Sequence, residues 1–463
     1  MPGRPRLASP GWPAPADQRR SGQPWTPARL LHGRLFYGWV VVAATFLVLV
    51  VDFGVVYSFG AFFDLFAHDF RADRSAVSLV FALNGPVYFA LGALTGPLTD
   101  RVGPRWLCLL GAAAFLAGLG LASRATELWQ IYATYSLLVG LAVGATYVPS
   151  VSTVQRWFVR RRALASGVAV SGIGVGTLLG PIVATALIGA HGWRTTYLLV
   201  GLLAAALTAA AGWLLLPAPE AVGLAPDGSA AAEGRLVHAP AETPLSGGTR
   251  EAIRSRAFVW LYLAMVFACI PMFMGAAHMV PFARDAGLDA DAAAATLGLF
   301  GVGSTVGRLV LAPLTDRVGR LPAYIATIAA VTLVMLVWLV LRVAWVWPLL
   351  AWAAVFGAVY GTFVALGPAV IADTFGARAV SGTLGVYYTG AGVGAFLGPW
   401  LAGALFDRAG SYAPAILIGA VAAALATAAV CQVRQGPHAD SGVSVGTRWP
   451  APLARARPRS PHT

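Results

Sequence analysis

The sequence predicts an all-α membrane protein of twelve transmembrane helices, arranged as two six-helix halves related by pseudo-symmetry. Three observations carry that expectation: an apolar excess that water cannot accommodate, twelve apolar runs of spanning length, and a duplication of motifs between the two halves. Of 463 residues, 58% are hydrophobic and only 11% charged. A water-soluble chain of this size cannot bury that much apolar surface, whereas lipid removes the difficulty.

A helix needs about 20 mostly apolar residues to cross a bilayer. The first half supplies such runs near 36–63, 75–98, 106–123, 128–153, 163–188 and 194–216. The second supplies them near 257–283, 292–313, 321–341, 346–372, 379–405 and 412–433. Gly and Pro inside several runs are tolerated in lipid when neighbouring helices satisfy the freed backbone groups. Residues 1–34 hold six Arg and many Pro without an apolar core, which predicts a disordered basic N-tail and not a signal peptide. The expected organisation is then an N-terminal half over 35–216, a linker over 217–256 too polar to span, a C-terminal half over 257–434, and a disordered C-tail over 435–463.

The charges orient the chain. All 32 basic residues are Arg, against 19 acidic residues, for a net charge of +13. Nucleic-acid binding would need those Arg gathered on one exposed face, but they stand singly or in short clusters between apolar runs. With both termini and the linker placed inside, 24 Arg fall on inner segments and seven on outer loops, the positive-inside pattern. Both ends are therefore expected in the cytoplasm. The lack of Lys beside abundant Ala, Arg and Gly is typical of a bacterial gene of high GC content, so the expected bilayer is a bacterial inner membrane. Cys108, Cys269 and Cys431 lie alone in apolar runs, as small core side chains do. They form no disulfide framework or metal-ligand spacing, and no metal or cofactor is expected.

The halves repeat. Pro97-Leu98-Thr99-Asp100-Arg101-Val102-Gly103 recurs as Pro313-Leu314-Thr315-Asp316-Arg317-Val318-Gly319, after helices 2 and 8, the second copy being followed by Arg320. Each glycine serves a tight turn, and each aspartate sits at the membrane edge where it can bond helix ends and arginines. Gly172, Gly176 and Gly180 before Pro181 recur as Gly390, Gly394 and Gly398 before Pro399 in helices 5 and 11. Small residues at this spacing allow close helix approach and serve packing or a hinge. Duplicated halves around a linker suit alternating access to a midplane site.

The Asp-Arg-x-Gly turn in both halves resembles the signature loop of the major facilitator superfamily, where it latches the cytoplasmic side. That resemblance makes Asp100, Arg101, Gly103, Asp316, Arg317, Gly319 and Arg320 expected gating residues. A narrower resemblance follows. Tyr147-Val-Pro149-Ser150, Arg156-Trp-Phe158 and Arg161-Arg162-Ala163-Leu164-Ala165-Ser-Gly167 are similar to the helix 4–5 signature of the monocarboxylate transporter family. Leu397-Gly398-Pro399-Trp-Leu-Ala402-Gly403, with Asp407 and Gly410-Ser411-Tyr412, is similar to its helix 11–12 signature. Phe36-Tyr37-Gly38-Trp39 and Tyr57-Ser58-Phe59-Gly60 resemble its bacterial relatives, the oxalate:formate antiporter among them.

One arginine lies well inside a span. Arg308 is eight residues before Asp316, so about 12 Å from the inner edge at ~1.5 Å per residue. A cation there costs roughly 2.5–3.5 kcal/mol on insertion scales and usually marks a substrate or ion path. Arg stays charged at neutral pH and needs an anion, either an acidic neighbour or a carried carboxylate. In both related groups the matching helix 8 arginine binds substrate carboxylate. The chain also departs from the families: the aspartate that the monocarboxylate carriers place one turn earlier is Ser304 here, and their helix 1 lysine is replaced by Tyr57-Ser58. The helix 11 lysine of the oxalate carrier falls near Gly390–Ala391. A single central cation favours a monoanion.

Tyr147, Tyr387, Tyr388 and Asn84 lie about 14 Å from their nearer faces by the same arithmetic. Together with Tyr57 they complete the expected substrate set, although packing serves any single tyrosine as well. The Trp352, Phe356, Tyr360 stripe is expected in the core. Proton coupling needs another group. Asp52 is the only acid well inside a span, and His278, near the outer end of helix 7, is the second candidate because histidine is a residue type suited to proton exchange. The expected function is secondary active transport of small organic anions, monocarboxylates first, by proton symport or anion exchange, from a monomeric unit. The alternative in the same fold is export of amphipathic compounds. An enzyme would need clustered nucleophile, base or metal ligands, and none is apparent.

Overall fold

In the computed structural model, residues 36–222, 224–228, 248–341, 346–376 and 379–433 are described. The expected N-tail (1–34), the middle of the linker (229–247) and the C-tail (435–463) lie outside them. Among the described residues eleven continuous helices are long and apolar enough to cross a bilayer. One of them, Arg162–Leu214, runs for 53 residues and breaks at Gly192, whose φ of 74° is left-handed. Glycine adopts that conformation without steric cost, and the chain reverses there, so the count of spans is twelve.

In chain order these are α1 (Gly38–Asp69), α2 (Arg74–Val102), α3 (Pro104–Ala122), α4 (Leu128–Trp157), α5 (162–191) and α6 (193–214). The second half contributes α7 (Arg256–Asp285), α8 (290–318), α9 (Arg320–Val340), α10 (Val346–Phe375), α11 (Val380–Ala409) and α12 (Ala413–Cys431). Two spans contain π-helical turns, Tyr132–Val139 in α4 and Gly307–Leu311 in α8. Such widened turns are rare and concentrate at functional sites. A short helix, Gly248–Arg254, precedes α7.

Hydrophobic attraction does not drive helix association in lipid, so close packing of small residues has to. The two glycine rows do this within each half. A Cβ at Gly172, Gly176 or Gly180 would lie 2.3, 2.3 and 2.2 Å from the carbonyl oxygens of Phe46, Val50 and Gly54 on α1. In the second half Gly394 and Gly398 press on Val266, Cys269 and Ile270 of α7. These rows thus fasten α5 to α1 and α11 to α7.

The halves meet along two seams. On one, α2 and α11 touch backbone to backbone: a Cβ at Gly385 would lie 2.0 Å from the Gly92 oxygen, and one at Gly96 would lie 2.3 Å from that of Ser381. On the other, a Cβ at Gly167 of α5 would lie 2.1 Å from the Arg308 oxygen on α8. All three contacts lie toward the end of the bundle that carries Arg156–Arg162 and Arg320, called here the arginine-rich end. The turns after α2 and α8 are made by Gly103 (φ 87°) and Gly319 (φ 102°).

Candidate functional site: a central aromatic cavity beneath an ionic latch

Between the halves lies a cavity with about 640 Å³ of empty space, its open mouth included. Its wall is aromatic. Phe53 and Tyr57 come from α1, Tyr88 and Phe89 from α2, and Tyr147 from α4. The second half adds Phe273 from α7, Tyr360 and Phe363 from α10, and Tyr387 and Tyr388 from α11. The rings interlock: Phe53 meets Tyr147 edge-on at 5.8 Å, and Tyr147 meets Tyr388 at 5.1 Å. The hydroxyls of Tyr387 and Tyr324 bond to each other, anchoring the Tyr387 ring from behind.

Arg308 lies behind this wall and is not one of its lining residues; it is 2% exposed, in the π-helical turn of α8. Tyr57, Tyr147 and Tyr360 are its electrostatic neighbours. Its Nη1 lies 3.4 Å from where a Cβ on Gly174 would be, so the absence of a side chain on α5 leaves room for the guanidinium. Among the described residues it makes no ion pair, and its buried Nε has no hydrogen-bond partner. A buried, permanently charged group in that condition calls for a counter-charge. Ser304, one turn earlier, also keeps an unpartnered buried hydroxyl.

Tyr57, Tyr147, Tyr387 and Tyr388 therefore share the cavity wall, and Tyr57 is 40% exposed to it. Asn84 does not join them. It is fully buried between α2 and α4, where Nδ2 donates to the carbonyls of Tyr135 and Ser136, both at 3.4 Å. The π-helical turn of α4 shifts its hydrogen-bond ladder at these residues, and Asn84 serves that backbone rather than a substrate.

Asp52 is buried one position behind Phe53. Its carboxyl oxygens both lie 2.9 Å from Oγ1 of Thr146, and that hydroxyl is also 2.9 Å from the Ala142 carbonyl. The carboxyl thus faces into the first half, with Thr146 next to the lining Tyr147. His278 lies outside the cavity wall as well. Its Nε2 donates to the Pro399 carbonyl at 3.1 Å and its Nδ1 lies 3.4 Å from the Tyr412 hydroxyl, so it ties α7 to α11 and to the start of α12. Of the aromatic stripe in α10, Trp352 and Phe356 are core, but Tyr360 lines the cavity.

At the arginine-rich end the halves are locked together. Asp100 pairs with Arg156, whose Nη2 also donates to Ser381 Oγ of the other half at 2.8 Å. Asp316 accepts from Arg320 at 2.7 Å and from the backbone N–H groups of Ala163 and Leu164 at 3.2 and 3.1 Å. An aspartate of the second half thereby caps the start of α5 in the first, where unpaired N–H groups and the helix dipole favour an anion. Asp373 is shared by Arg162 of the first half and Arg320 of the second. Arg320 Nη2 further donates to the carbonyls of Val159 and Arg160. From the linker, Asp227 Oδ2 accepts from the N–H groups of the same two residues at 3.1 and 2.8 Å. Arg101 and Arg317 are exposed and take no part among the described residues.

A family profile described as Major Facilitator Superfamily matches residues 45–347 and 272–459. The chain belongs to the major facilitator superfamily. Within it, the chain resembles the monocarboxylate transporters: it is 29% identical to mouse (Mus musculus) monocarboxylate transporter 12 over 403 residues, covering 82% of each chain. It is 30% identical to human monocarboxylate transporter 11 over 390 residues, covering 82% of this chain and 80% of that one. The crystal structure of the E. coli fucose:proton symporter FucP shares the fold, with a TM-score of 0.59 at 16% identity, over 84% of this chain and 98% of that one.

As a major facilitator protein this chain is a multi-pass membrane transporter, and several of its latch residues escaped sequence reasoning. Arg156 and Arg162 entered only as loop charges and as members of the helix 4–5 signature, and Asp373, Ser381 and Asp227 gave no motif. The signal that could have found Asp373 is an acid at the end of a span, opposite an Arg cluster that otherwise lacks counter-charges.

Proposed function

We propose that this protein is a secondary active carrier of small organic anions, monocarboxylates in particular, which works by alternating access through proton symport or anion exchange. The observation that carries the proposal is Arg308: a buried cation with no acidic partner among the described residues, whose electrostatic neighbours Tyr57, Tyr147 and Tyr360 line the aromatic cavity between the halves. A carboxylate would supply the missing counter-charge through paired charge-assisted hydrogen bonds. The names of the monocarboxylate transporter relatives point the same way.

The expected topology puts the arginine-rich end in the cytoplasm. With the latch closed there, the conformation is outward-facing, and release of cargo inward requires the Asp316 and Asp373 networks to part. Asp52 remains the acid nearest the cavity for proton coupling, while the two imidazole nitrogens of His278 are both engaged elsewhere. The domain division and the cytoplasmic placement of both termini belong to the same proposal. Uptake of a panel of labelled carboxylates into proteoliposomes, with and without an imposed pH gradient, tests it. Saturable uptake that Arg308→Ala abolishes is expected. If no carboxylate moves under any gradient, or if Arg308→Ala transports as well as the parent, the proposal is refuted and the alternative of an exporter of amphipathic compounds gains ground.

A further inference from the structure

The cavity wall is more specific than a carboxylate site requires. A two- or three-carbon acid held at Arg308 would leave most of the aromatic lining without a contact. The rings continue outward from those around the guanidinium: Phe53 stacks on Tyr57 at 6.2 Å with 25° between planes, and Tyr88 packs on Phe89 at 4.4 Å. Phe89 in turn faces Tyr388 at 6.4 Å. Spacings of about 4.5–7 Å between centroids are those that aromatic rings favour, so a further ring has partners from both halves. The charge distribution is equally selective. No lining residue carries a charge; Arg308 stands behind the wall at Tyr57, Tyr147 and Tyr360, and Asp52, also behind the wall, is turned to Thr146. An ammonium group or a second carboxylate would be desolvated without a partner, at a large cost.

We infer that the preferred cargo is an aryl monocarboxylate without an ammonium group, its carboxylate at Arg308 and its ring against Phe53, Tyr88 and Phe89. This rests on the carrier reading above and narrows it: arylalkanoates fit, while short aliphatic acids, amino acids and dianions fit less well.

The test is counterflow in proteoliposomes of the full chain, with labelled phenylacetate as probe and lactate, phenylalanine and phthalate as competitors. Phenylacetate is expected to half-saturate at least tenfold lower than lactate, and neither phenylalanine nor phthalate should compete at equal concentration. Phe53→Leu and Phe89→Leu keep apolar volume but remove the ring faces. Each should raise half-saturation for phenylacetate roughly threefold to tenfold, a larger factor than for lactate. Efficient transport of lactate with no preference for phenylacetate overturns this inference alone. So does competition by phenylalanine equal to that of phenylacetate. Absence of any Arg308-dependent carboxylate transport overturns the carrier reading together with it.

Discussion

Replacement of Gly167 by alanine would strike the contact that joins the gate to the anion site. The added methyl would lie 2.1 Å from the Arg308 oxygen and 3.2 Å from its carbonyl carbon, whereas ordinary contact begins near 3.4 Å. Both obstacles are backbone, so α5 and α8 must separate by about 1 Å for the methyl to fit. Overpacking of this kind costs about 1–3 kcal/mol. Because the contact is between halves, the cost falls on the state closed at the arginine-rich end and spares the state open there. The ratio of the two should then shift roughly 5- to 150-fold toward the open state, at about 1.4 kcal/mol per tenfold. Gly174→Ala is the control: its methyl would lie 3.4 Å from Arg308 Nη1, at the end of a flexible side chain, and no shift is expected. Arg101 and Arg317 are exposed beyond the two equivalent spans, so cysteines placed there in a Cys431→Ser background can carry spin labels; Cys108 and Cys269 are buried. Pulsed electron-spin distance measurements should show a longer component for Gly167→Ala and the parent distribution for Gly174→Ala. A folded, monodisperse Gly167→Ala protein with the parent distribution would refute the reasoning.

Other expectations follow from the same contacts. Arg308→Gln should abolish carboxylate transport yet raise thermal stability in the absence of cargo, because an unpartnered buried charge is removed at a gain of up to roughly 2.5–3.5 kcal/mol; the melting temperature in detergent reads this out. Asp227→Ala frees the N–H groups of Val159 and Arg160 and should lengthen the spin-label distances in the same sense as Gly167→Ala, but less. At the opposite end, the Trp193 indole N–H first, and then His68 and Arg194, hold the Asp69 carboxyl below its ordinary value of 3.8. A lowered native pKa contributes stability that is full above the ordinary value and lost as pH falls through the native one. Asp69→Asn should therefore lower the melting temperature near neutral pH and flatten its decline on acidification below about pH 4, as a pH series of melting curves would detect.

Much of the architecture was legible because hydropathy is a property of length and composition, and lipid reads little else. The limit lies at close reversals: the fifth and sixth spans are separated by Gly192 alone, whose left-handed backbone makes the turn. The site was legible only in depth. Counting along a helix placed Tyr147, Tyr387, Tyr388 and Asn84 at similar heights, but height carries no azimuth, and Asn84 turns to the carbonyls of α4. Tyr360 was assigned to the core with Trp352 and Phe356 for the same reason. The repeated Asp-Arg-x-Gly motif implied equivalent roles, yet Asp100 pairs with Arg156 of its own half while Asp316 reaches across to α5. A repeat specifies local geometry, but the partner, Arg156 in one copy and the start of α5 in the other, lies outside the motif and is not encoded by it. The π-helical turns leave no residue signature at all.

The two seams between the halves are built of different materials. Along α2 and α11 the seam itself is glycine against bare peptide, and a cargo would meet these helices only beside it, at Tyr88, Phe89 and Tyr388. Along α5 and α8 the touching peptide belongs to the residue whose guanidinium awaits an anion. Occupancy of the central site is thereby felt directly at one seam and only beside the other. The first can serve as a pivot that any added side chain would jam, and the second as the edge that opens. Rocking in this transporter should accordingly be lopsided, with the cargo holding only one side of the door.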